Sequence, residues 1–173
     1  AEHFDEVGEL GSGERLSSVG RPGPLIRVEI MNEDSQVLST GETGEICVRG
    51  DLVMKGYYKA PELTARTIVN GWLHTGDIAR IDKDGFIFIV DRKKDMVLRG
   101  GENVYCAEVE TALHHHPAVA ECSVFGVPDA RLGEEVGAAV VLRAGERVDA
   151  DGLRAHCAKT LARHKVPRYI WLL

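Results

Sequence analysis

Two apolar runs flank the tetrapeptide Asp82-Lys83-Asp84-Gly85, and no other stretch constrains the fold as tightly. Ile78, Arg80 and Ile81 lead in, and Phe86-Ile87-Phe88-Ile89-Val90 leads out. Glycine supplies the positive φ of a tight antiparallel turn, so the pattern predicts a hairpin. A hairpin returns the chain to the end it came from. Residues just before Ile78 are therefore brought beside residues just after Val90, namely Gly71-Trp72-Leu73-His74-Thr75-Gly76-Asp77 and Asp91-Arg92-Lys93-Lys94-Asp95.

Upstream, period-two alternation marks further strands. Ile26, Val28 and Ile30 alternate with Arg27 and Glu29, and Ile46 and Val48 alternate with Glu45 and Arg49 after the turn-forming STGETG at 39–44. Each pattern predicts a half-buried strand with its polar residues outward. Residues 1–24 read as loop, because Gly and Pro punctuate them every few positions. Pro61 opens a short helix through Glu62, Ala65 and Arg66, at a position where its missing N–H costs little. Up to Val90 the chain reads as antiparallel β with one short helix.

Beyond the charged segment 91–95 the pattern becomes mixed. Ala107 to His115 reads as a helix with Val109 and Leu113 on one face. Val119–Val127 and Val136–Leu142 read as strands. Asp149 is placed to cap a second helix whose inner stripe is Leu153, Cys157, Leu161 and His164, and Tyr169–Leu173 begins a last strand. The expected class is α+β: a β-rich first domain over 1–91, then a small domain over 92–173 with a three-stranded sheet and its helices on one face.

Composition narrows the function classes. Twenty-one Lys and Arg against twenty-seven Asp and Glu give a net charge of -6, which argues against nucleic acid as a partner. No apolar run approaches the ~18 residues of a membrane span, and residues 1–20 lack the apolar core of a signal peptide. Cys47, Cys106, Cys122 and Cys157 are widely spaced and form no CxxC pair. Free thiols in a reducing cytoplasm are expected, with no disulfide framework and no metal site. The start without Met and the apolar end Tyr169-Ile170-Trp171-Leu172-Leu173 suggest a piece of a longer protein.

The candidate chemistry lies at the base of the hairpin. Asp77, on a turn at the start of a strand, can accept two hydrogen bonds from a vicinal diol such as a ribose; alternatively it closes an Asx turn on its own backbone. Arg92 can face the same crevice and donate bidentately to a hydroxyl or phosphate, or pair with Asp91 or Asp95 on the surface. Gly100-Gly101, after the apolar strand Met96-Val97-Leu98, permits close approach of a ligand or makes an ordinary turn. No GxxxxGK[ST] phosphate loop surrounds it. His114-His115-His116 cannot share one ion from a helix, where consecutive side chains diverge, and suits a helix C-terminus better. No nucleophilic triad stands out.

Six blocks in order resemble the adenylate-forming superfamily: acyl-CoA synthetases, firefly-type luciferases and peptide-synthetase adenylation domains. They are SVGRPGP (18–24), GETGEICVRGDLVMKGYY (41–58), APELT (60–64), GWLHTGD (71–77), DRKKDMVLRGGENVYCAEVE (91–110) and HPAVAECSVFGVPDARLGEEVGAAVV (116–141). The wording is most similar to fatty-acid and aromatic-acid CoA ligases, and ARHKVPRYI (162–170) agrees with it. In such enzymes a carboxylate and ATP form an acyl-adenylate, a carboxy-terminal domain swings, and CoA displaces AMP.

The resemblance implies that Asp77 and Arg92 bind the ribose of the nucleotide. It makes Lys94 the hinge residue, and it puts Gly100 and Gly101 in a loop lining the pantetheine tunnel. It implies ATP, Mg2+ and CoA as cofactors of a full-length, cytoplasmic acid-thiol ligase acting on a fatty or aromatic acid. Residues 1–91 become the end of the large domain, a β-barrel-like remnant, and 92–173 most of the mobile domain. Cys106 stands where the family usually has Pro. The phosphate loop and the adenine- and magnesium-binding segment are not among these residues. The catalytic lysine would fall beyond Leu173. The piece alone is therefore expected to be inactive. Three alternatives stand beside this reading: loading of a carrier protein in place of CoA, a non-catalytic nucleotide-binding or interaction module, and a purely architectural likeness. Acyl specificity and oligomeric state are not legible.

Overall fold

The structure is a computed structural model, and it describes residues 13–173. The chain divides into two compact units, Ala1–Lys93 and Lys94–Leu173. The sequence reading of 1–24 as loop holds only in part. Residues 1–12 lie outside the described residues, and Gly13–Leu16 forms a short helix, α1.

In the first unit, β1 (Ile26–Met31) pairs antiparallel with β2 (Gly44–Gly50), which pairs antiparallel with β4 (Trp72–Ile81). Helix α2 (Pro61–Thr67), with Pro61 in its first turn, leads into the two-residue β3 (Ile68–Val69). Both β3 and β5 (Ile87–Arg92) lie along β4, giving five strands in all. Among the described residues no pairing joins the two ends of this sheet.

The β4–β5 hairpin turns where the sequence indicates. Gly85 has φ +83, and the Asp82 carboxylate accepts the N–H groups of Asp84 (2.9 Å) and Phe86 (2.8 Å). Ile30, Ile46, Ala79 and Ile87 form the core, with Val28, Leu38, Val48 and Ile81 against it. One expectation fails here. Glu45 does not point outward to solvent; it and Cys47 are both buried, 6% and 0% exposed. Glu45, Ile46 and Cys47 are buried in succession, so both faces of β2 are covered along this stretch, and alternation cannot tell which face meets water.

The second unit is mixed α and β. β6 (Val97–Arg99) and β7 (Glu102–Val104) form a hairpin, followed by α3 (Cys106–His114) and the long antiparallel pair β8 (Val119–Asp129) and β9 (Gly133–Leu142). Helix α4 (Ala150–Cys157) and a 3-10 turn at Arg163–Lys165 precede β10 (Tyr169–Leu172), which runs parallel to β9. The α+β class stands, but the sheet has five strands where the sequence suggested three. The two extra strands are three residues each: β6 overlaps the apolar strand read at Met96-Val97-Leu98 but not counted into the sheet, and β7 is too short to show a period.

The Asp149 carboxylate caps α4 by accepting the Gly152 N–H at 2.8 Å. The helix stops at Cys157, so the expected stripe is cut short: Leu161 packs on the core from outside the helix, and His164 sits in the 3-10 turn. Val109, Leu113, Val119, Val136, Val140 and Leu153 are each 0% exposed and bring both helices and the sheet into one core. Helix α3 packs on β8 and against α4. Among the described residues no helix is long and apolar enough to cross a membrane.

Candidate functional site

Asp77 and Arg92 are register partners in the β4–β5 ladder, at the end remote from the Asp82–Gly85 turn. The hairpin thus brings together the two residues that the sequence singled out. Arg92 Nε lies 3.6 Å from Asp77 Oδ1, and the side chains are 64% and 40% exposed. That separation is beyond a hydrogen bond, and an exposed pair of this kind adds little to stability. Both groups therefore keep their hydrogen-bonding capacity. A carboxylate that only accepts, beside a guanidinium fork that only donates, complements neighbouring hydroxyls, each of which does both. Of the alternatives for Arg92, Asp91 accepts its backbone N–H, at 2.7 Å.

Asp77 does not sit on a turn that starts a strand. β4 begins at Trp72, and the turn character of Thr75-Gly76 is absorbed as a bulge. Between the pairs Glu45↔Ile78 and Cys47↔His74, β4 spends Thr75, Gly76 and Asp77 where β2 spends Ile46 alone. Gly76 takes φ +78, the left-handed region that glycine enters at no steric cost. Thr75 Oγ1 donates to the Ile46 carbonyl at 2.9 Å and accepts the Asp77 N–H at 3.1 Å. Bulges of this kind re-aim side chains relative to the neighbouring strand; here Asp77 leaves the pairing with β2 while keeping its register with Arg92 on β5.

Behind the bulge lies a polar cluster that the sequence reading missed. Glu45 Oε1 accepts the Gly76 N–H at 2.9 Å. Glu45 Oε2 meets His74 Nδ1 at 3.0 Å and accepts from Lys93 Nζ at 3.0 Å. Burial alone would raise the Glu45 pKa, but the hydrogen bonds from His74, Lys93 and Gly76 together hold it below the ordinary glutamate range. His74 Nε2 is buried without a partner among the described residues.

Glu45, Cys47 and His74 offer three donor atoms within 4.8 Å of one another, so their fitness for a metal can be judged by chemistry. Burial, and then the Glu45 charge, push the Cys47 thiol up to about 11. The thiol stays protonated near neutral pH, and the Lys93 ammonium already occupies the carboxylate. The cluster is a hydrogen-bonded tie more than a cation cage. The signal available in the sequence was Glu45-Ile46-Cys47-Val48, which carries Cys as well as Ile and Val and so fits a strand covered on both faces.

The remaining predicted residues belong to the second unit. Lys94, its first residue, is exposed in the turn after β5. Gly100 and Gly101 are the two central residues of the β6–β7 hairpin, with φ +59 and +89. Two positive φ values in a two-residue loop are what a type I′ turn requires. The Gly100 N–H donates to the Leu132 carbonyl at 2.8 Å. His114 ends α3, and the His116 ring packs edge-on to His156 at 5.0 Å. Burial, then the neighbouring His116, lowers the His156 pKa.

The second unit also holds a buried carboxylate. Glu135, 1% exposed, accepts from Arg99 Nε and from Arg99 Nη2 at 3.1 Å, with Arg168 Nη1 at 3.6 Å. It lies on a cleft of about 650 Å³ whose lining includes Arg154 and Arg163.

Comparison with known proteins fits these observations. Residues 7–58 match the AMP-binding enzyme family, and residues 108–173 match the AMP-binding enzyme C-terminal domain. The chain is 47% identical over 158 residues to a feruloyl-CoA synthase of Amycolatopsis sp, covering 91% of this chain and 32% of that protein. It is 49% identical over 148 residues to the medium/long-chain-fatty-acid–CoA ligase FadD8 of Mycobacterium tuberculosis, covering 86% of this chain and 26% of that one. Among solved structures, the o-succinylbenzoate CoA synthetase MenE of Bacillus subtilis, in complex with its acyl-adenylate intermediate OSB-AMP, superposes with a TM-score of 0.79 at 40% identity. The match covers 92% of this chain and 32% of that one. The chain spans about a third of the length of the relatives it matches.

Proposed function

Because this chain belongs to the AMP-binding, adenylate-forming enzyme family, we propose that it is part of an ATP-dependent acyl-CoA ligase in which Asp77 and Arg92 hold the ribose of the nucleotide. The observation that carries the reading is the pair itself, set opposite each other on β4–β5, 3.6 Å apart and open to solvent. The Asp77 carboxylate would accept from the ribose hydroxyls while the Arg92 guanidinium donates to their oxygens. Neither group moves a proton; both orient the nucleotide for the chemistry at its phosphate.

On the same reading 1–91 is the end of the large domain and 92–173 most of the carboxy-terminal domain. Lys94 is the hinge, and Gly100-Gly101 is the loop that lines the pantetheine tunnel, where the absence of a Cβ leaves room for a thin ligand. ATP, Mg2+ and CoA are the cofactors proposed for the whole protein, with a fatty or aromatic acid as substrate. Relatives named for feruloyl-CoA and for medium- and long-chain fatty acyl-CoA support that class. The 173 residues alone are proposed to be inactive, since neither a phosphate loop nor the family's catalytic lysine is among them.

Asp77→Ala in the full-length protein tests the assignment. Losing hydrogen bonds to a charged acceptor costs about 1.5–3 kcal/mol, so ATP affinity measured by calorimetry is expected to fall roughly ten- to a hundred-fold. Unchanged affinity would leave Asp77 and Arg92 as a surface ion pair and sink the reading.

A further inference from the structure

We propose that Glu45 is a positioning residue for the Asp77–Arg92 pair, holding it at working geometry from the neighbouring strand. This inference rests on the ribose-binding reading of that pair. Among the described residues, every hydrogen bond to the Glu45 carboxylate comes from a segment flanking the pair. Gly76 and His74 belong to the stretch that delivers Asp77, and Lys93 directly follows Arg92.

The bulge explains why such a tie is needed. Thr75–Asp77 stands opposite Ile46 alone, so the ladder cannot satisfy every amide there, and the Gly76 N–H finds the Glu45 side chain instead. A second irregularity between Ile78 and Ala79 loosens the β4–β5 ladder just beyond. Asp77 thus lies between two breaks in regular pairing. Beside its pairing with Arg92 in the β4–β5 ladder, its position depends on side-chain bonds from Thr75 and Glu45 and on a flanking backbone bond, Lys93 N–H to the Gly76 carbonyl at 2.8 Å.

Simple packing does not account for a carboxylate here. A buried charge costs several kcal/mol to desolvate, and an apolar residue would fill the space more cheaply. What a branched apolar side chain lacks is two acceptors facing opposite ways. Oε1 faces the bulge, and Oε2 faces Lys93 at the end of the first unit. The tie therefore fixes both anchors relative to each other and leaves Lys94, the next residue, outside it.

The test uses the full-length protein, with ATP and 2′,3′-dideoxy-ATP as probes and dissociation constants from calorimetry. Glu45→Gln is nearly isosteric, but either orientation of the amide loses one end: its NH2 faces Lys93 and His74, or it faces the Gly76 N–H. Expected is a loss of about ten-fold for ATP and less than about two-fold for the dideoxy nucleotide, with lost hydrogen-exchange protection at the Gly76 amide. Lys93→Met is the second variant. Its side chain is 42% exposed, so folding should survive, and it is expected to weaken ATP alone by about three-fold. If both variants weaken the two nucleotides equally, or leave ATP unaffected, Glu45 is structural only and the inference is overturned. If Asp77→Asn keeps the preference for ATP over the dideoxy nucleotide, the ribose reading itself falls, and this inference falls with it. If Asp77→Asn abolishes that preference while the Glu45 and Lys93 variants keep it, only the positioning role is lost.

Discussion

Replacing Arg99 by Met should destabilise the second unit sharply while leaving its shape intact. Met keeps much of the apolar stem and removes the guanidinium, which is bonded through both Nε and Nη2 to Glu135. Glu135 is 1% exposed, so the variant strands a carboxylate away from water. Removing one partner of a buried pair costs about 3–5 kcal/mol. Arg168 at 3.6 Å and the Val136 N–H at 3.2 Å still face Glu135, which places the expected loss near the lower end, about 3 kcal/mol. With urea slopes of about 1–3 kcal/mol/M, the unfolding midpoint should drop by roughly 1–3 M.

The pH dependence separates this cause from ordinary packing damage. The hydrogen bond from Arg99, opposed by burial, holds the Glu135 pKa below its ordinary value. A depressed carboxylate pKa stabilises the fold above the unfolded value, about 4.3 for glutamate, and that contribution is lost as pH falls through the folded pKa. In Arg99→Met the depression is relieved, and protonation now removes a stranded charge. The gap between the two proteins should be widest near pH 7 and narrow toward pH 4. Glu135→Gln should make the Arg99→Met protein more stable, although alone it weakens the wild type. A gap of constant size across that range, or no recovery in the double variant, would refute the account.

Two further substitutions probe local geometry. An added Cβ at Gly76 meets no atom within 4 Å, but φ is +78, so Gly76→Ala should cost about 1 kcal/mol through the backbone alone, read as a urea midpoint, and should weaken ATP binding by the full-length protein. Asp149→Ala removes the side chain that caps Gly152 and should cost about 1 kcal/mol, with faster hydrogen exchange confined at first to the opening turn of α4.

The parts of the fold that could be read from sequence are those with enough residues to show a period or a turn with a required dihedral. The hairpin around Asp82–Gly85, the strands at 26–31 and 44–50, the helix after Pro61 and the Asp149 cap all belong to that group. β6 is legible as the apolar strand before Gly100-Gly101, but β7 is not, because three residues carry no period, and so the hairpin that this turn closes stays hidden. The second helix was overextended because Leu161 packs on the same core after the helix has ended. Asp77 and Arg92 could be brought together from spacing, since a hairpin alone suffices for that.

Glu45 could not be found in the same way, for a physical reason. Alternation assigns a residue to a face but does not say whether that face is covered, and coverage depends on partners distant in sequence. Here they are His74 and Lys93, 29 and 48 residues away. The bulge at Thr75–Asp77 adds a second obstacle, because its extra residues shift the register that alternation would assume. The two obstacles have one origin. The bulge in the β2–β4 register leaves the Gly76 N–H to a side chain, and the carboxylate that meets it comes from a covered face of the adjacent strand. A polar residue at an apparently outward position, two before a cysteine, beside a strand carrying Thr-Gly-Asp, is therefore the trace such a tie leaves in sequence.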